Sequence, residues 1–355
     1  MDNRLLHILI LILLPLPALL AQIGGKHHYE FLNIPNSARI TALGGYLNTV
    51  KDDDVTLALT NPAALNPEMG GALAFHHNFF ISDIQNGYFG YGHQLKESDY
   101  TLHAAIKYIT YGDFQETNDM GDITGEFDAN EIAIVVGAGR SLNENYSVGV
   151  NLKHISSRFE AFTSSAIAGD VSAMYYNPDK EWAITISLTN FGWVYEDYTD
   201  NTEASMPTQL QIGFSKRLEH LPFRYSIIAH HLEEWNIAYD DPAAQDGTIL
   251  FGEDPSSDEG PSFIDQLARH FVFNGEFLFG EEENFRIRLG YNNLRRADLN
   301  LVNQFTLSGF TFGVGFKVNR FKVDYGFGGY HFASNAHHFS ISTNIKSFRS
   351  KLDEI

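Results

Sequence analysis

Four histidine pairs are the first residues that could do chemistry: His27-His28, His76-His77, His230-His231 and His337-His338. Imidazole is a common ligand of transition metals. Adjacent residues on a strand point to opposite faces, however, so one pair cannot supply two ligands from one side. A metal centre would need pairs from different strands; interfacial or lumen-facing histidines are the plainer expectation. The run Asp52-Asp53-Asp54 offers carboxylates to a divalent cation or a cap to a following helix, and the cap or a solvated turn is favoured. No local signature of a nucleophile beside its base stands out. Gly137-Ala138-Gly139 lies in strand-like alternation, where glycine marks close packing and not a phosphate loop. The expectation is a chain with no catalytic site, no bound metal and no cofactor.

Composition narrows the field further. The chain has no cysteine, which removes thiol nucleophiles, disulfide frameworks and thiolate metal sites together. With 44 acidic against 24 Lys and Arg residues the net charge is −20, a poor match to nucleic-acid phosphates. At the N-terminus, Met1–Arg4 is short and polar, and Leu5 to Leu20 is apolar apart from His7, Pro15 and Pro17. Ala21 then precedes a polar, glycine-rich sequence. This is the layout of a secretory signal peptide over residues 1–21, cleaved near Ala21, and without a following cysteine a lipoprotein anchor is excluded. The mature chain has no apolar run of helix-spanning length. If it enters a membrane it must do so as a closed barrel, the only sheet that satisfies every backbone group in lipid.

From Gly71 onward, period-2 stretches alternate with turn residues. Phe310, Phe312, Val314, Phe316 and Val318 are separated by Thr311, Gly313, Gly315 and Lys317. Phe321, Val323, Tyr325 and Phe327 alternate with Lys322, Asp324 and Gly326. The pattern predicts fourteen strands, at Ala72–Phe80, Gly87–Leu95, Tyr100–Tyr111, Glu131–Arg140, Tyr146–Phe159, Ser165–Tyr176, Trp182–Phe191, Thr208–Leu218, Phe223–Leu232, Arg269–Leu278, Phe285–Tyr291, Ser308–Val318, Phe321–Phe327 and Ala336–Ile345. Short turns alternate with longer connections at Gly112–Asn130, Gly192–Pro207, Glu233–Ala268 and Asn292–Leu307. One rim of tight turns and one of long loops is the asymmetry of an outer-membrane barrel. The fold class predicted is therefore all-β: a transmembrane antiparallel barrel over residues 71–346 with a periplasmic tail at 347–355. Polar alternates such as Asn274, Glu276, Lys317, Lys322 and Asp324 suit a hydrated or plugged lumen. A fourteen-strand barrel is too wide to be filled by its own wall, which makes residues 22–70 the expected small helical plug.

That segment carries the most specific signal. Asn36 or Ser37 can cap a short helix running through Ala38 and Ala42, and Gly44-Gly45 can stop it. Asn61-Pro62 is a cap followed by proline at the first helical position. The stretch Ser37-Ala38-Arg39-Ile40-Thr41-Ala42-Leu43-Gly44-Gly45, the Asp52–Asp54 run and Asn61-Pro62-Ala63-Ala64-Leu65 resemble the PorV/PorQ family of Bacteroidetes outer-membrane proteins, themselves similar to the long-chain fatty-acid transporter barrel FadL. Within the family, the lead from Tyr29 to Leu32 and the triple Asp are most similar to PorQ. The resemblance covers roughly residues 25–70, and its small-residue and Asn-Pro-Ala elements recur across FadL-like barrels.

The resemblance implies a component of the type IX secretion system in contact with outer-membrane lipid. Its long extracellular loops would hold surface partners of the PorZ and PorU type. The alternative is a FadL-like transporter of small hydrophobic molecules, which would need an apolar pocket inside the barrel and a lateral opening in its wall. The docking reading expects a sealed or featureless lumen and apolar and aromatic groups on the long-loop rim, with Phe251, Phe263 and Phe310 as candidates. Asp240, Asp241, Glu253, Asp254, Asp258 and Glu259 make the longest loop acidic, fit for a basic partner or bridging cations, and residues 263–268 are expected to form a helical turn within it.

Overall fold

The computed structural model describes residues 27–80, 83–199, 205–238, 262–280, 282–299, 307–331 and 334–349. The expected signal peptide and cleavage point, Phe251 and the six loop acids named above lie outside them. Fourteen antiparallel strands form one closed barrel in sequence order, sealed where the first strand pairs with the last. They are β1 (Ala72–Phe79), β2 (Gln85–Gln94), β3 (Tyr100–Thr117), β4 (Ile123–Ser141), β5 (Tyr146–Phe159), β6 (Phe162–Asn177) and β7 (Trp182–Glu196), followed by β8 (Gln209–Arg217), β9 (Phe223–Ala229), β10 (Phe271–Phe279), β11 (Phe285–Asn292), β12 (Phe310–Val318), β13 (Phe321–His331) and β14 (Ser334–Asn344). The strand count and all fourteen positions follow the sequence pattern.

The barrel is inside-out relative to a soluble protein. On β5 the outward residues Val148, Val150 and Leu152 are 38–57% exposed, while Ser147, Asn151 and Lys153 between them are almost wholly buried. β1 repeats this, with Phe75 and Phe79 outward and His76 and Asn78 inward. Apolar groups can face outward in this number only if the medium there is lipid. No helix among the described residues is long and apolar enough to cross a membrane. The crossing is made by strands.

Two expected loops are strand instead. β3 and β4 run on through most of residues 112–130, and β7 continues to Glu196. In β3 and β4 the apolar alternation fades because these segments rise beyond β2 and β5, where the ladder and not lipid holds them; in β7 it persists, with Phe191, Trp193 and Tyr195 outward. The connection after β11 contains a helix that the sequence pattern missed (Asn293–Asp298), initiated by the Asn292 side chain accepting from Arg295 N–H. The tail begins with a helical turn at Lys346–Arg349. The expected turn in the longest loop is present as a helix, Phe263–Arg269, capped by Ser262.

Residues from Tyr29 to Met69 fold into short helical pieces inside the barrel. An α-helix, α1 (Ala38–Ala42), is accompanied by 3-10 turns at Glu30–Asn33, Val55–Leu59, Pro62–Ala64 and Pro67–Met69. The sequence dictates where they start. Ser37, Asp54, Asn61 and Asn66 each cap the piece that follows by accepting a backbone N–H. Gly44 and Gly45, at φ 78° and 90°, end α1 in a conformation that only glycine adopts cheaply. Leu43, Leu57, Leu65 and Met69 then pack on one another as a small apolar centre within the plug.

Candidate functional site

The plug meets the wall in three ways: backbone against glycine, backbone against hydroxyl or amide, and charge against charge. The first is steric. A Cβ built on Gly149 of β5 would lie 2.2 Å from the Pro62 carbonyl carbon, one on Gly290 of β11 2.2 Å from Gly44 N, and one on Gly326 of β13 2.3 Å from Ala38 O. Only bare backbone lets the two chains approach so closely.

The second set uses the motif residues almost one by one. Ala38 N–H donates to Ser340 Oγ at 2.8 Å, after Ser37 has capped the helix by accepting from Ile40 N–H at 3.2 Å. Thr311 of β12 donates its hydroxyl to Ala42 O and accepts from Gly44 N–H, both at 2.9 Å. Asn274 Nδ2 donates to Leu43 O and Asn292 Nδ2 to Gly44 O. Gly45 N–H turns back to Ile40 O. Asn61 Nδ2 reaches Asn48 O at 2.6 Å, which ties the Pro62 turn to the preceding loop. Ala63 donates N–H to Ser172 Oγ and accepts on its carbonyl from Ser147 Oγ, at 2.8 and 2.7 Å.

The third set centres on Arg39. Its guanidinium donates to Asp52 at 2.8 Å, to Asp54 at 3.0 Å and to Glu276 of β10 at 3.0 and 3.2 Å. Asp53 points the other way and pairs with Lys322 of β13. The acids expected to cap a helix or bind a cation therefore do one of those things, since Asp54 is a cap, and take arginine and lysine as their cations. Register explains the wall side. Glu276 lies opposite Arg224 on β9 and opposite Arg288 on β11, so three charges form a row across neighbouring strands. Arg288 then passes over Gly315, whose missing side chain leaves the gap, to reach Asp324 on β13. In the sequence Glu276 and Asp324 stand out only as polar alternates; the row itself does not show there, because cross-strand register is not visible along one chain.

Burial alone would push the Asp52 carboxyl up, but Arg39 foremost, with Arg224 and Lys322, holds it well below the usual carboxylate range. The reciprocal effect outweighs burial at Arg39 and raises its guanidinium further. A second luminal group sits across the barrel. A register shift between β6 and β7 leaves Asp170 to receive Lys153 and Asn151 side chains and the Asn190 backbone N–H, each at 2.8 Å. Asn151 also donates to the plug carbonyls of Ala58 and Leu59.

The histidine pairs divide across the wall as strand geometry requires. His76 and His338 point inward and meet at 3.3 Å, whereas His77 and His337 face outward beside Tyr108 and Tyr325. His230 stacks on Tyr46 and contacts His231 at 2.6 Å. His27 bonds Ser205 beside His28. Among the described residues, no group of three or more His, Asp or Glu side chains is spaced to hold a metal ion.

Cavities follow the same division. A concavity of about 670 Å³ is lined by Phe273, Phe277, Leu289, Phe310 and Phe312, all exposed on the outer wall, and one of about 510 Å³ by Val148, Val150, Val171 and Ile186, also outward. Between plug and wall, by contrast, the space bounded by Leu32, Ile40 and Leu47 on the plug and by Lys153, Asn190 and Gln211 on the wall is only about 30 Å³.

Solved structures with this architecture exist. The chain is similar to the toluene transporter TodX of Pseudomonas putida (TM-score 0.52, 11% identity), covering 87% of this chain and 96% of that one. The two share a fold, a closed outer-membrane barrel of antiparallel strands. The toluene transporter TbuX of Ralstonia pickettii (TM-score 0.49, 10% identity, 88% and 99% covered) and a FadL homologue of Pseudomonas aeruginosa (0.47, 8%, 86% and 97%) are also similar. TodX is, as its name states, a transporter of toluene. No protein-family model matches the chain, and no curated protein matches it in sequence. The PorV/PorQ resemblance thus rests on the N-terminal motif alone.

Proposed function

We propose that this FadL-type barrel is an outer-membrane anchor that holds partner proteins at the cell surface, within a type IX secretion system of the PorV/PorQ kind. The observation that carries this reading is the filled joint around Arg39. A plug bonded to the wall by buried charges and by glycine-deep backbone contacts turns the lumen into a rigid core. The long-loop rim supports it too, because Phe263, Ile264 and Trp235 are 46–76% exposed there. The secretion assignment and its PorZ-like or PorU-like partners come from the motif between Ser37 and Leu65.

A second reading is favoured by a different observation. Taken alone, the structural likeness supports a transporter of small hydrophobic molecules better than it supports a secretion role, since TodX is a toluene transporter. One fold hosts many functions, and transport would require the plug to give up its buried contacts. Detergent co-purification of the tagged protein from its own membranes separates the two. A large surface protein in stoichiometric amount is expected; a bare barrel carrying a hydrophobic molecule in its lumen would favour transport.

A further inference from the structure

The wall is not level at the long-loop rim. β2 accompanies β3 only as far as the pair Gln85↔Thr110, and β5 accompanies β4 only from Ala129↔Phe159. Beyond those points Asp113–Thr117 and Ile123–Asp128 pair with each other. Seven residues of β3 past Thr110 rise about 23 Å at strand spacing. Among the described residues neither outer edge of this two-stranded ribbon has a strand beside it; Asp128 O at the foot of the β4 edge accepts from Glu160 N–H, and above it a row of backbone donors and acceptors on each edge is open to a further chain.

The ribbon also has a marked charge. Residues 111–130 contain six acids (Asp113, Glu116, Asp119, Asp122, Glu126, Asp128) and no Lys or Arg. Asp113 lies directly opposite Asp128, a like-charge pair that destabilises an isolated ladder. Arg158, from β5 at the ribbon's foot, pairs with Asp128. Phe114 and Phe127 stack at 5.3 Å on one face, and Met120 at the tip is 84% exposed. Edge acids can serve only to repel other edges, and a second copy of this chain would indeed be repelled. A strand carrying positive side chains would instead relieve the repulsion.

We propose that the β3–β4 ribbon is a docking edge: an extended, basic segment of a surface protein adds to it as another strand, a deepening that rests on the anchor reading above. Backbone hydrogen bonds would give affinity, and the acids would select lysine and arginine.

The test uses the full-length protein in detergent and a short peptide of alternating lysine and threonine, with hydrogen exchange followed along residues 111–130. Slowed exchange in Asp113–Thr117 or Ile123–Asp128 is expected. It should be lost with the same peptide N-methylated at every backbone amide, which keeps the charge but removes the donors of both peptide edges, and lost again in the E116Q/D119N/D122N/E126Q variant, whose own exchange without peptide reports that the ribbon is intact. No slowing, or equal slowing by the N-methylated peptide, overturns the proposal. So does protection that requires calcium and anionic lipid vesicles in place of peptide. In co-purification from native membranes, a partner recovered equally with wild type and the acid variant leaves the anchor reading standing and removes this edge. Recovery with neither overturns the anchor reading and this inference with it.

Discussion

Arg39 of the plug and Glu276 of the wall are joined by two hydrogen bonds, 3.0 and 3.2 Å, between side chains that are 6% and 2% exposed. This contact spans 237 positions of sequence and fixes the plug at one height and rotation in the lumen. Glu276 is the centre of the row, because Arg224 and Arg288 need it as well.

Removing the centre is therefore expected to cost more than removing a spoke. Glu276→Ala leaves three guanidiniums without their shared acid and should destabilise the folded barrel by about 3–5 kcal/mol, the range for breaking buried ion pairs. Arg39→Ala should cost less, since Glu276 keeps two partners. Thermal unfolding in detergent of both singles and the double variant checks this; the double should lose less than the two singles added together. Additive losses would show that the pair does not act as a unit.

The same joint makes plug retention depend on acidity. The Asp52 carboxyl is held below its ordinary value in the folded protein, so its contribution is fully present above the unfolded value of about 3.9 and is lost as pH falls below it. Protease cleavage of the plug should stay slow from neutral pH down to about 4 and quicken below that, with an acid-active protease as probe. Asp52→Asn should flatten this dependence and raise the neutral-pH rate.

Steric contacts predict a different signature. Gly149→Leu or Gly326→Leu drives a side chain into plug backbone now 2.2–2.3 Å from the Cβ position. Overpacking of this kind costs about 1–3 kcal/mol. Strand pairing can survive by expelling the plug, so the expected result is an unchanged sheet signal in circular dichroism with faster hydrogen exchange across α1 and Pro62–Ala64. Unchanged exchange would mean that the plug does not seat on these glycines.

What the sequence discloses follows from range. Alternation such as Phe310 to Val318 is local, and so are the caps at Ser37, Asp54 and Asn61; all appear in the structure as read. The row Arg224, Glu276, Arg288 is not local. It needs the registers of three strands, and its link to Asp324 needs the absent side chain of Gly315. The meeting of His76 and His338 needs the closing seam between β1 and β14. The β3–β4 ribbon reads as loop because its acids interrupt the apolar pattern, while its strand character comes from cross-strand pairs such as Phe114↔Phe127.

A lumen that is a filled joint and not a passage should carry no current, and single-channel recording in a planar lipid bilayer measures this directly. The wild-type barrel should be electrically silent at neutral pH, and a variant lacking the plug ties, Arg39→Ala with Gly326→Leu, should show stable open steps. A wild-type protein that conducts through a wide, long-lived pore would show that the plug does not fill the lumen.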